Sequence, residues 1–212
     1  MVQSLDELVA ARDAGADRVE LCADLTVGGL TPSIALAREV ARQAGPVGVH
    51  VLVRCRAGDY VYAAGEIDEM VASIAALGDA GVDGVVIGAL TSDGDVDVAA
   101  CRRMIGAAGR LSVTFHRAFD DCRDPFVALD AIAEIGCERI LTSGQAAFAP
   151  AGAAMLRRLR EHAAGRITIL AGGGVRVDNV AGLIAASGVS EVHFSVVGAG
   201  DPGAVIAAAR GA

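Results

Sequence analysis

Residues 81–89 read GVDGVVIGA, and the way this stretch recurs decides the fold. A glycine-led approach, Gly81-Val82-Asp83, runs into a short apolar segment. The same approach stands at Gly15-Ala16-Asp17, Gly136-Cys137-Glu138 and Gly188-Val189-Ser190, each ahead of another short segment. Between successive copies lies one further strand-like run. The predicted strands are 18–22, 47–54, 84–89, 111–117, 138–143, 166–171 and 191–196, separated by amphipathic stretches of helical period. Strands alternating with helices predict a parallel sheet wound by right-handed crossovers. Repetition of the strand–helix pair predicts a (β/α)8 TIM barrel, one domain over 1–212. Several helix starts are legible: Ser4-Leu5-Asp6-Glu7 fits a capping box, and Asp124-Pro125 and Asp201-Pro202 set an N-cap before proline.

Seven strands are counted, and eight close such a barrel. The first helix begins near Ser4 with no strand ahead of it, whereas a strand precedes its counterparts. The first strand is therefore expected to lie before Met1, leaving an edge that needs covering. A seven-stranded or open barrel is the alternative.

Composition narrows the function. The chain has 212 residues, 53% of them hydrophobic and 21% charged, as in a soluble globular domain. No apolar run is long enough to span a membrane, and no leader pattern opens the chain, which predicts a cytoplasmic protein. The net charge of -8 argues against nucleic acid and anionic membranes as partners. The five cysteines show no CxxC spacing and read as reduced thiols. All 18 basic residues are arginine, which excludes a Schiff-base lysine, lysine-linked pyridoxal phosphate and a Walker A motif.

Alternation along the strands sorts side chains into a helix-facing set and a lumen-facing set. Val19 and Leu21 oppose Arg18, Glu20 and Cys22. Val49, Val51 and Val53 oppose His50, Leu52 and Arg54. Val113 and Phe115 oppose Ser112, Thr114 and His116, and Val192 and Phe194 oppose Glu191, His193 and Ser195. The lumen thus collects Glu20, His50, Arg54, His116, Glu191 and His193. His162 sits in a helix and reads as a solvated surface residue. Charge inside a barrel is costly unless paired, so this face implies a polar cavity with a task. Glu20, Arg54, His116 and His193, nearer the C-terminal strand ends, are the catalytic candidates. An ion pair between Glu20 and Arg54, and a satisfied lower layer of Arg18, His50 and Glu191, are the structural alternatives.

The turn Ala171-Gly172-Gly173-Gly174-Val175 lets backbone N–H groups approach an anion. In many barrels the loops after strands seven and eight hold phosphate. With Arg56, Ser143 and Ser195, the glycines Gly172, Gly173 and Gly174 make the candidate anion site; a tight turn without a ligand is the alternative. A second glycine patch is Gly198-Ala199-Gly200. Arg54 and Arg56 near the mouth suit carboxylate or phosphate recognition.

Several segments together resemble the CutC family. They are Glu20-Leu21-Cys22 with Gly28-Gly29-Leu30-Thr31-Pro32-Ser33, Arg54 with Arg56 and Gly58-Asp59, Thr114-Phe115-His116-Arg117-Ala118-Phe119-Asp120, Leu141-Thr142-Ser143-Gly144, and Glu191-Val192-His193. The resemblance spans nearly the whole chain and departs at the N-terminus, where the family's first strand is absent. It implies a cytoplasmic barrel, a homodimer, and a place in copper homeostasis. Cys22 and Cys55 are then the candidate Cu(I) ligands, since thiolates suit that ion. They stand at the ends of adjacent strands, although alternation turns Cys22 inward and Cys55 outward. Cys101, Cys122 and Cys137 receive no role.

Two expectations follow. The chain is a copper-handling protein binding Cu(I), or it is an enzyme acting on a small anionic or phosphorylated substrate. In the second, His116 is the general acid or base, Glu20 its carboxylate partner and Arg54 the anion clamp. A lyase, isomerase or hydrolase without lysine fits, and the polar lumen favours the enzyme.

Overall fold

The computed structural model describes all residues except 198 and 199. Its strands and helices alternate: α1 (Leu5–Asp13), β1 (Arg18–Leu21), α2 (Ile34–Gln43), β2 (Gly48–Leu52), α3 (Ala64–Ala80), β3 (Gly84–Ile87), α4 (Val98–Ala108), β4 (Ser112–Phe115), α5 (Pro125–Glu134), β5 (Arg139–Thr142), α6 (Ala153–Ala163), β6 (Thr168–Gly172), α7 (Val180–Ser187), β7 (Glu191–His193) and α8 (Pro202–Arg210). The strands pair in sequence order, all parallel. Among the described residues these are seven strands and eight helices, as the TIM-barrel reading expects.

The caps do what the sequence requires. Ser4 Oγ accepts from Glu7 N at 3.2 Å, while the Glu7 carboxylate accepts from Gln3 N at 2.8 Å, one residue ahead of the usual box. Asp124 and Asp201 each accept two backbone N–H groups with proline at the helix start.

Alternation along each strand splits the interior into two cores. The larger lies between sheet and helices and holds the set Val19, Val49, Val51, Val113 and Phe115. A smaller one, Cys22, Leu52 and Val86, lies in the lumen. Burying the β-branched residues of the larger set stabilises the fold by roughly 1.5–3 kcal/mol per side chain.

The eighth place in the ring is taken, among the described residues, by Met1 and Val2. Val2 N donates to Glu20 O (2.8 Å) and Cys22 N to Val2 O (3.0 Å). On the other side Met1 N donates to Phe194 O (2.7 Å) and Val196 N to Met1 O (3.3 Å). Each residue is bracketed as in a parallel ladder, so the seam between β1 and β7 is closed at the C-terminal end. Below it a slot of about 320 Å3 opens between the two strand edges. The Arg18–Glu191 ion pair, 2.6 Å, crosses that slot.

Candidate active site

The C-terminal ends of the strands surround a cavity of about 590 Å3. Glu20, Arg54, His116, His193 and Ser195 of the sequence-derived set line it, as do Gly173 and Gly174. Gly172 lies beneath the turn, where a Cβ would come within 2.5 Å of Leu141 Cδ1.

His116 is set by where its strand stops. β4 ends at Phe115, two residues before the predicted end, and a 3-10 turn, Arg117–Asp121, follows. His116 caps that turn: Nδ1 accepts from Ala118 N at 3.1 Å. The proton of the neutral ring is thereby assigned to Nε2. Burial holds the ring's pKa down at about 3, so it stays neutral. Nε2 is buried and has no partner. Tyr60 packs against the ring, centroids 4.9 Å apart. Gly88 makes room for it, since a Cβ there would come within 2.5 Å of His116 Cε1.

The carboxylate beside a histidine belongs to a different pair from the one expected. Glu20 lies 3.8 Å from His193 Nε2, rather than partnering His116. Burial raises the Glu20 pKa to about 7 and pushes that of His193 well down. Both groups are thus driven toward their uncharged forms, and the contact is not an ion pair. His193 Nε2 is a second buried atom without a partner.

Arg54 does not form the ion pair with Glu20. Its guanidinium donates to the carbonyls of Val27 (2.9 Å), Gly29 (3.1 Å) and Gly58 (2.8 Å) and lies 5.1 Å from the Tyr60 ring centroid. It ties the loop after β1 to the loop after β2, and only its buried Nε is left without a partner. Arg56 is likewise engaged, by Glu66 (2.5 Å), Asp59 (2.9 Å) and three carbonyls, and is not among the cavity residues. Both arginines organise loops, because folded loops present inward carbonyls that need donors.

The cation at the glycine turn is Arg117. Its Nε donates to Asp120 (2.8 Å) and Nη2 to Ser143 Oγ (3.0 Å). Its Nη1 faces Gly173, 3.4 Å from where a Cβ would stand, and Gly173 has φ +102°. Ser143 is buried and serves this arrangement, bonding Asp120 as well. Reading the strand through residue 117 hid Arg117 by pointing it outward; the 3-10 turn brings it back to the mouth. Arg176, Tyr60 and Phe148 also line the cavity and were not singled out from the sequence. In the second glycine patch, Gly198 and Ala199 lie outside the described residues.

At the opposite end of the lumen the charged groups are paired. Glu191 bonds Arg18 and Arg139, and Arg139 reaches Ser112 Oγ (2.9 Å) and Glu138 (3.0 Å). His50 departs from this layer: it is neutral, burial lowering its pKa to about 3, and its Nδ1 has no partner. His162 meets Asp130 at 3.0 Å on the helical surface.

The two thiols proposed for Cu(I) lie on opposite faces of the sheet. Cys22 packs in the lumen with Leu52 and Val86, its Sγ 3.9 Å from Val2 O, and burial pushes the thiol up to about 12. Cys55 packs against the helix-side core. Among the described residues no group of three or more His, Cys, Asp or Glu is placed to hold a metal ion.

Comparison with known proteins gives the ancestry. The family model described as the CutC family matches residues 1–198. A CutC family protein of Chromobacterium violaceum is 51% identical over 195 residues, 92% of this chain and 78% of that protein. One of Bacteroides fragilis is 47% identical over 195 residues, 91% of this chain and 76% of that protein. Among solved structures, a CutC of Streptococcus agalactiae named for copper homeostasis superposes with TM-score 0.87 at 31% identity, covering 91% and 94% of the two chains. An aldolase, QR15, matches with TM-score 0.70 at 15% identity over 92% and 84%, a likeness of fold alone.

Proposed function

The chain belongs to the CutC family, and from the geometry of its barrel mouth we propose that it is an enzyme acting on a small anionic substrate. One observation carries this reading. Three buried polar atoms without a protein partner, His116 Nε2, His193 Nε2 and Arg54 Nε, belong to residues lining the same cavity. Buried polar groups are hydrogen-bonded in the great majority of cases, so three orphans around one cavity call for a ligand.

The roles follow from the chemistry of each group. Gly173, Gly174 and Arg117 seat the anion. Glu20, held near half-protonation at neutral pH, gives or takes a proton at a substrate atom in the lumen. His116 donates its Nε2–H to an oxygen that gains charge during the reaction. Arg54 holds the loops that roof the site. A lyase, isomerase or hydrolase fits these roles. In the cell we place the protein in the cytoplasm as a homodimer, without nucleic-acid or membrane partners.

The second reading, favoured by the copper-homeostasis name of the streptococcal relative, is Cu(I) as cargo. Its candidate ligands, Cys22 and Cys55, pack against different apolar clusters.

A panel of phosphorylated and carboxylated metabolites, followed by mass spectrometry, separates the two. The enzyme reading expects one compound to be converted, with a loss of about a hundredfold or more in Glu20→Gln and His116→Ala and none in Cys22→Ser. No conversion, together with tight one-equivalent Cu(I) binding abolished by Cys22→Ser, would overturn it in favour of copper.

A further inference from the structure

The mouth has two chemically different sides, and they touch. One is the anion turn, with Arg117 against Gly173. The other is apolar and is led by Phe148, which is 61% exposed and the only aromatic among the exposed large hydrophobic residues described. The ring is not a stray surface side chain. It lies on the turn itself: a Cβ at Gly174 would come within 2.7 Å of Phe148 Cδ1, and Gly174 has φ +71°. Ala149 N donates to Gly173 O at 2.8 Å, which ties the aromatic loop to the glycine turn. Val175, next in the turn, is buried and also lines the cavity. The ring and the anion seat are therefore held as one unit, within one residue of each other.

An inorganic anion at Gly173 would leave the Phe148 face in water. An apolar group attached to that anion would cover it, and aromatic faces gain most from flat partners in offset or edge contact. Resting on the anion-binding reading above, we propose that the ligand is an anion borne on an aromatic or similarly flat apolar body. The anion sits at Gly173 against Arg117, and the body lies against Phe148. Phe148 then sets specificity, and Arg117 sets affinity for the charged end.

Titration calorimetry of the whole chain with inorganic phosphate, methyl phosphate and phenyl phosphate tests this. Phenyl phosphate is expected to bind about tenfold more tightly than methyl phosphate. Phe148→Ala should erase the preference for phenyl over methyl phosphate, and Phe148→Tyr should keep it. Arg117→Gln should weaken all three ligands alike. Equal affinities for phenyl and methyl phosphate in the wild type, or a preference that survives Phe148→Ala, would overturn the proposal and leave the anion site standing. Absence of binding by all three to folded protein would instead defeat the anion reading, and this inference with it.

Discussion

The two ends of the lumen are built from the same face of the same strands, and, His50 apart, they are in opposite states. At the N-terminal end Arg18, Arg139, Glu191, Ser112 and Glu138 satisfy one another. One turn of alternation further on, His116, His193 and Arg54 each keep a buried polar atom without a partner. A folding chain gains nothing from the second arrangement, since a buried unpaired donor carries its desolvation cost. Polar residues in a barrel are thus of two kinds. Those that complete one another hold the structure, and those left unpaired around the mouth are the ones the proposed ligand would satisfy.

The contrast is most exposed to test at Glu191. Removing it as Glu191→Ala strands Arg18 at the β1–β7 seam and leaves Arg139 with Ser112 and Glu138 alone. The expected loss is roughly 2–3 kcal/mol in urea unfolding, below that of a fully buried pair because solvent reaches all three side chains. A loss under about 0.5 kcal/mol would show that this end is not structural and would erase the distinction.

Glu20 should behave in the reverse sense. Its folded pKa of about 7 stands above its unfolded value near 4.5. Between these values the folded state holds a proton that the unfolded state has released, so stability falls as pH rises through that window. At pH 8 the carboxylate is buried and charged in the folded protein. Glu20→Gln is expected to raise stability there by on the order of 2 kcal/mol and to change it little at pH 4. Equal effects at both pH values would break the assignment.

The smallest effect is expected at His116. His116→Asn removes the orphan Nε2–H while its Oδ1 can still accept from Ala118 N, so stability should stay within about 1 kcal/mol of wild type. A large loss in the same unfolding experiment would move His116 into the structural class.

The lumen-facing set was legible because a parallel strand between helices and lumen has a strict period of two, and burial enforces it. Val113 and Phe115 against Thr114 and His116 read the same in sequence and in space. The register ends where the strand ends, and that is where the reading failed. β4 stops at Phe115, so Arg117 turns to the mouth instead of away from it. The partner of each group was illegible too. Nothing local to Arg54 announces the three carbonyls it binds, which come from two loops meeting over the site. Gly88 carried no signal until the His116 ring was seen lying across it.

By itself the sequence determined the strand–helix alternation, the barrel class, the two faces of each strand and an all-arginine basic complement. These follow from chain-local periods and from composition. Only the tertiary structure decided that Glu20 stands beside His193, that Arg117 serves the glycine turn, that Arg54 is consumed by its loops, and that Cys22 and Cys55 face apart. Each is a relation between segments distant along the chain. Such relations are set by which donors and acceptors remain unpaired once the strands have closed into a ring, and no local pattern encodes that remainder.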